Sequence, residues 1–250
     1  MTPDSFASDG FLTKDIQPSN EVYVKFKIKF QKGFTEGYGG KTGIIKLFRI
    51  LSYDGVGERS KFFKEGNSAP IYLYEWGNNT YGVRHFHAFR CDPQEVSYFC
   101  TAPVVGSSPR KIFRGDMSAN YTSDLKWLDV HPSIPDLLNG GYLPKEGTVW
   151  HEQVFSDKWH ELAFYVKLNS APGVQDGILR HWFDGKLIIS MPKVPWIGTG
   201  GNMNAKWNSI SFGGNDFYRF NLDKNAPLSE RERWYAIDDV VISSKLPKTQ

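Results

Sequence analysis

The chain has 250 residues, with 30 Lys and Arg against 27 Asp and Glu, for a formal net charge of +3. So weak a field argues against a dedicated nucleic-acid binder, and no run approaches the roughly 18 apolar residues of a membrane span. With 24 Gly, 14 Pro and 15% aromatic residues, the composition suits a turn-rich β protein rather than a helical one.

The first ten residues, MTPDSFASDG, have neither a basic n-region nor an apolar h-region, so no signal peptide is visible. The first periodic element is EVYVKFKIKF. Val22, Val24, Phe26, Ile28 and Phe30 alternate with Tyr23, Lys25, Lys27 and Lys29, which predicts a strand with one core face. The lysine face reads most simply as solvated and hostile to edge pairing; a polyanion-binding strip is the alternative. A glycine-rich loop, GFTEGYGG, leads to KTGIIKLFRILS. There Ile45, Leu47, Arg49 and Leu51 share one face, and Lys46 and Phe48 the other.

In IYLYEW, Tyr72, Tyr74 and Trp76 alternate and so share a face, as core packing or as a stacking platform for sugar rings. In VRHFHAF, His85 and His87 share a face. They could flank a sugar carboxylate or a metal, or serve as structural histidines. Cys91 and Cys100 could close a hairpin disulfide or remain free thiols, and a zinc site lacks two further ligands. Periodicity fades over about 104–147, a loop-rich insertion.

Regularity returns at WHELAFYVKLN, where Leu162, Phe164, Val166 and Leu168 alternate with Ala163, Tyr165 and Lys167. In DGILRHWFDGKLIIS, each Asp-Gly predicts a turn with positive φ, with a single strand between. On that strand Leu179, His181 and Phe183 face one way, Arg180 and Trp182 the other. SISFGG and WYAIDDVVIS close the series. The chain therefore reads as one all-β domain over 1–250, two antiparallel sheets packed face to face.

The order in WHELAFYVKLNSAPGVQDGILRHWFDGKLI, with SISFGGN and YAIDDVVIS, resembles the concanavalin A-like (laminin G-like) jelly roll. Within it the chain looks like the branch of alginate and glucuronan lyases, whose Gly-Gly-Lys loop is similar to GYGGKTG. The resemblance implies a sandwich that takes polysaccharide on a concave sheet. For a lyase it implies Lys41, Lys46 and Arg49 as cations, and Tyr72, Tyr74, His85 and His87 as acid and base candidates. Trp76, Tyr165, Lys167, Arg180 and Trp182 are the candidate sugar contacts. It also implies that a structural calcium could join Asp238 or Asp239 to Asp4 or Asp9; no other cofactor is required. Leu47 stands where the lyase branch has a serine before its arginine, and Tyr72 lies much further downstream than that pattern has it. Acidic residues at alternating strand positions, the glycosidase signature, are missing.

Three functions follow in order: recognition of an acidic polysaccharide; β-elimination on a uronate glycan; and a non-catalytic structural module, such as a virion decoration or adhesion protein. The expected partner is polysaccharide, with protein assembly partners under the third reading. The expected location is extracellular or a virion surface.

Overall fold

The computed structural model describes residues 11–32, 43–53, 55, 70–79, 82–90, 114–116, 157–194, 196–198, 200–213 and 234–248. Among them are eleven strands and no helix. They are β1 (Phe11–Ser19), β2 (Glu21–Phe30), β3 (Gly43–Leu51), β4 (Ile71–Asn79), β5 (Gly82–Arg90), β6 (Arg114–Asp116), β7 (Trp159–Lys167), β8 (Gly177–Phe183), β9 (Lys186–Val194), β10 (Trp207–Gly213) and β11 (Tyr235–Ser243). One sheet has the order β1-β10-β3-β4-β5-β6 and the other β11-β2-β7-β8-β9. Every pairing is antiparallel. The expected all-β sandwich is what the chain forms.

Period-two alternation builds the core. The inward residues of β2 and β7 (Val22, Val24, Phe26, Ile28, Phe30; Leu162, Phe164, Val166) are all buried. They meet Phe48 and Ile50 of β3, Tyr72 and Tyr74 of β4, and Ile210 and Phe212 of β10, buried as well. At the centre the rings interlock across the two sheets. Phe48 stacks on Phe164 with centroids 4.9 Å apart, and Phe26 meets Phe212 edge-on at 4.9 Å. His181 of β8 lies flat against Phe164 at 4.3 Å, as its place beside Leu179 and Phe183 predicts.

The two Asp-Gly pairs behave differently. Asp184 (φ 47°) and Gly185 (φ 75°) are both left-handed and form a two-residue hairpin between β8 and β9, as the sequence predicts. The Asp184 carboxylate accepts from the Glu161 amide at 2.8 Å and lies 2.8 Å from His160 Nδ1. Burial would raise this carboxyl, but the hydrogen bonds from His160 and Glu161 outweigh it and hold the pKa below the ordinary aspartate value. Gly177, by contrast, has no positive φ and simply opens β8. A Cβ there would lie 2.2 Å from the Val194 carbonyl oxygen and 2.6 Å from the Trp196 ring, so the glycine serves close approach rather than a turn.

Asn169, the asparagine of the Lys-Leu-Asn run, is buried and clamps two loops together. Its amide donates to the carbonyls of Ala171 (2.7 Å) and Ile197 (2.8 Å), and its oxygen accepts from Ile197 N (2.8 Å).

Two substitutions test these assignments. Gly177→Ala forces backbone apart and is expected to cost about 1–3 kcal/mol in chemical denaturation. Asp184→Asn keeps the turn but loses the charge, costing about 1 kcal/mol at neutral pH after allowance for its half-exposed position. Because its folded pKa is lowered, the carboxylate stabilises above about pH 4, the unfolded value. That contribution is lost as pH falls through the folded value, so the melting curves of Asp184→Asn and the parent converge in acid.

Candidate functional site

The outer face of the six-stranded sheet carries a row of hydroxyls around an arginine. Across neighbouring strands the ladder aligns Thr13 with Ser211, Ser211 with Arg49, and Arg49 with Leu73. It continues from Leu73 to Ala88 and on to Arg114. Thr13 Oγ1 and Ser211 Oγ are 3.1 Å apart, hydrogen-bonded side by side. Arg49 is wholly enclosed and donates from Nη1 to the Gly213 carbonyl. One row along, Ser209 pairs with Asp15 on one side and Leu51 on the other. Its hydroxyl is buried and has no hydrogen-bond partner among the described residues.

Tyr72 and Tyr74 lie on the opposite face of the same sheet. Both are completely buried, and both rings pack on Phe164, at 5.6 and 5.0 Å. Of the two roles the sequence left open for them, they fill the core one. Burial drives both hydroxyls well above the ordinary tyrosine pKa, with Tyr74 adding to the rise at Tyr72. A base must be ionisable near working pH and must touch its substrate. Two enclosed hydroxyls with raised pKa values suit packing better than that role. In the ladder, His87 pairs with Tyr74, and His85 with Trp76. Lys46 pairs with Glu75 across a bulge that inserts one residue before Phe48, so the simple alternation expected over Lys46 to Phe48 is broken. Lys41, Cys91, Cys100, Asp4 and Asp9 lie outside the described residues.

The candidate sugar contacts Tyr165, Lys167, Arg180 and Trp182 belong to a different surface, the outer face of the five-stranded sheet. Tyr165 and Trp182 form a small buried cluster there with Tyr23 and Ala163, and Ile178, Leu187 and Leu246 pack against it. Leu246 brings the segment after β11 down onto these rings, and the two aromatics retain only 5% and 6% exposure. Tyr165 donates its hydroxyl to Glu21, and burial and that carboxylate raise its pKa. Burial, aided by Glu161, pushes Tyr23 up to about 12. Lys167 is exposed and Arg180 half-buried beside them.

Along the same face the β2 lysines are neutralised one by one. Lys25 pairs with Glu161 (3.1 Å), Lys27 with Asp239 (2.6 Å) and Lys29 with Asp157 (3.0 Å). The β2 lysine row is thus charge-paired, which removes its three lysines as free cations for a polyanion strip.

Asp239 owes its position to a bulge in β11. Asp238 pairs with Lys27 and Val241 with Lys25, so one extra residue is accommodated, and Asp239 takes φ 51°. The bulge frees adjacent aspartates from strict alternation, and both are exposed. The Asp239 carboxylate is engaged by Lys27, whose hydrogen bond lowers its pKa, while Asp238 accepts from the Asp239 amide at 2.8 Å. No group of three metal-ligating side chains occurs among the described residues.

The predicted residues are thus divided among the core, two separate outer faces and an edge strand. Thr13, Ser209 and Ser211, which accompany Arg49, were not singled out in the sequence. The alternation of SISFGG places the two serines on one face, and that was the available signal.

No family model matches the chain, and no curated protein matches it. Among solved structures, alginate lyase Aly36B is similar at 12% identity and a TM-score of 0.48, over 93% of this chain and 72% of that one. Alginate lyase vAL-1 from Chlorella virus is similar at 11% identity and 0.45, over 90% and 72%. The ligand-binding domain of botulinum neurotoxin serotype D, solved with N-acetylneuraminic acid, is similar at 13% and 0.42, over 96% and 38%. At such identities the likeness is one of backbone path, not of residues.

The buried tyrosines can be checked directly. In the alkaline ultraviolet titration of the folded protein, a Tyr72→Phe/Tyr74→Phe variant should show the same tyrosinate signal as the parent near pH ~10, the free-tyrosine value. Signal missing from the variant there would mean that one of the two hydroxyls meets solvent.

Proposed function

We propose that this chain is a carbohydrate-recognition domain that takes an acidic polysaccharide on the outer face of its six-stranded sheet. Arg49, enclosed in the sheet, supplies positive charge beneath that face rather than a direct contact, and half-buried Thr13 is the candidate hydrogen-bonding partner beside the buried hydroxyls of Ser209 and Ser211. The observation that carries this reading over β-elimination is the separation of Arg49 from Tyr72 and Tyr74 by the sheet itself. Elimination needs charge stabilisation, base and acid converging on one sugar. Recognition needs only a cation and hydroxyls on one face.

A second reading, an assembly module, is favoured by one observation. Edge strand β11 exposes Val240, Val241 and Ile242, at 44%, 46% and 36%. Exposed β-branched residues on an edge suit contact with another protein surface.

Ultraviolet absorbance over time with alginate, glucuronan, heparan and chondroitin distinguishes these readings, combined with retention on the same glycans. Under the recognition reading, absorbance stays flat, one glycan is retained, and Arg49→Gln weakens retention in a variant whose melting curve shows it folded. Rising absorbance from unsaturated uronate ends establishes a lyase instead. Flat traces with no retention leave the assembly reading.

A further inference from the structure

The outer face of the five-stranded sheet has two ends. One is closed over by Leu246 on the Tyr165–Trp182 cluster; the other carries two half-exposed tryptophans. Trp159 begins β7 directly opposite Lys29. Trp234 immediately precedes β11, and its carbonyl accepts from Gln31 N at 3.1 Å while its amide donates to Gln31 Oε1 at 3.1 Å. Its neighbour Tyr235 turns inward to the Phe30 ring, 5.9 Å away, so the alternation turns Trp234 outward, the side on which Lys29 and Trp159 stand. Both indoles are 45% exposed.

The two strands flank β2, so the indoles are separated by two strand spacings across the sheet and two residues along it, about 12 Å between Cα atoms. The Lys29–Asp157 ion pair lies between them, with Gln31 beside it. Two large rings half in water on one face form two apolar plates with donors and acceptors between them. A pyranose ring matches that arrangement, with C–H groups on its face and hydroxyls at its rim. The spacing exceeds one sugar unit, so the fitting ligand is an oligosaccharide. Charge chooses among oligosaccharides. Lys25, Lys27 and Lys29 are each held by a carboxylate, and Lys167 and Arg180 stand at the far end of the face beside the Tyr165–Trp182 cluster, so the ion-paired row next to the indoles favours a neutral chain over a uronate one.

We propose that Trp159 and Trp234, with Lys29, Asp157 and Gln31 between them, form a binding site for a neutral oligosaccharide, on the opposite side of the sandwich from Arg49. The site stands independently of the acidic-glycan reading.

The test is calorimetric titration and tryptophan fluorescence of the full chain with oligosaccharides of cellulose, xylan and mannan, and with oligoalginate as the acidic comparison. At least one neutral series is expected to bind, with little dependence on salt. Trp159→Ala or Trp234→Ala should each lower affinity roughly tenfold or more, the scale of losing one stacking ring. The double variant should abolish binding, and Trp159→Phe should keep part of it. Because both indoles are half exposed, circular dichroism and melting of the single variants should match the parent; if Trp159→Ala melts early, Trp159→Phe and Trp234→Ala decide. Three results overturn the proposal: no neutral oligosaccharide binds, binding survives the double substitution, or only oligoalginate binds and salt removes it.

Discussion

The stack of Phe48 on Phe164 is the point at which the two sheets meet, and most else follows from it. A strand has two faces, and the residue that meets the opposite sheet fixes the fate of every second neighbour. Once Phe48 points inward, Arg49 must point out, and the ladder then turns Tyr72 and Tyr74 in and Leu73 out. The separation of the cation from the tyrosines is therefore no local accident. Moving Tyr74 to the outer face would require a one-residue slip of β4, which would turn Ile71 and Leu73 inward and strand the aromatic layer without its Tyr72–Phe48 and Tyr74–Phe164 contacts.

Much of this was legible in the sequence, because strands whose two faces differ in polarity announce their register. EVYVKFKIKF and WHELAFYVKLN alternate cleanly, and the structure follows them residue by residue. Strand β1 was not legible. FLTKDIQPS has few apolar residues and a proline, as suits an edge strand that pairs with β10 alone, and Leu12 stays 68% exposed. Bulges were equally hidden: nothing in GIIKLFRIL or YAIDDVVIS marks the extra residue, because a bulge is a property of the pairing and not of one strand. For the site, a strand carrying Tyr-x-Tyr shows which residues share a face but not whether that face is inside. That depends on β3 and β7, far away in the chain.

The residues that carry the jelly-roll resemblance have structural work to do. Asn169 clamps two loops, Asp184 and Gly185 turn a hairpin, and Gly177 admits the Val194 carbonyl. A likeness resting on such positions speaks for the scaffold, and scaffolds of this kind host unrelated chemistries. Function has to be read from faces that the fold leaves free to vary. Here those faces differ in kind: one holds an enclosed arginine among hydroxyls, the other a charge-balanced ladder with rings at its ends.

The Asp184-Gly185 hairpin has a consequence for how the molecule ages. Among aspartyl linkages, aspartate followed by glycine is the most prone to succinimide formation, in which the glycine nitrogen attacks the aspartate carboxyl carbon, water leaves, and hydrolysis gives a kinked isoaspartyl backbone. That attack needs a mobile carboxyl and a backbone able to swing toward ring closure. Here the carboxylate is turned away to the Glu161 amide and His160, and the Asp184 amide is itself tied to the Glu161 carbonyl at 2.8 Å. The folded hairpin thus shelters its own weakest bond, and chemical damage at this dipeptide becomes a clock that runs only while β8 and β9 are apart.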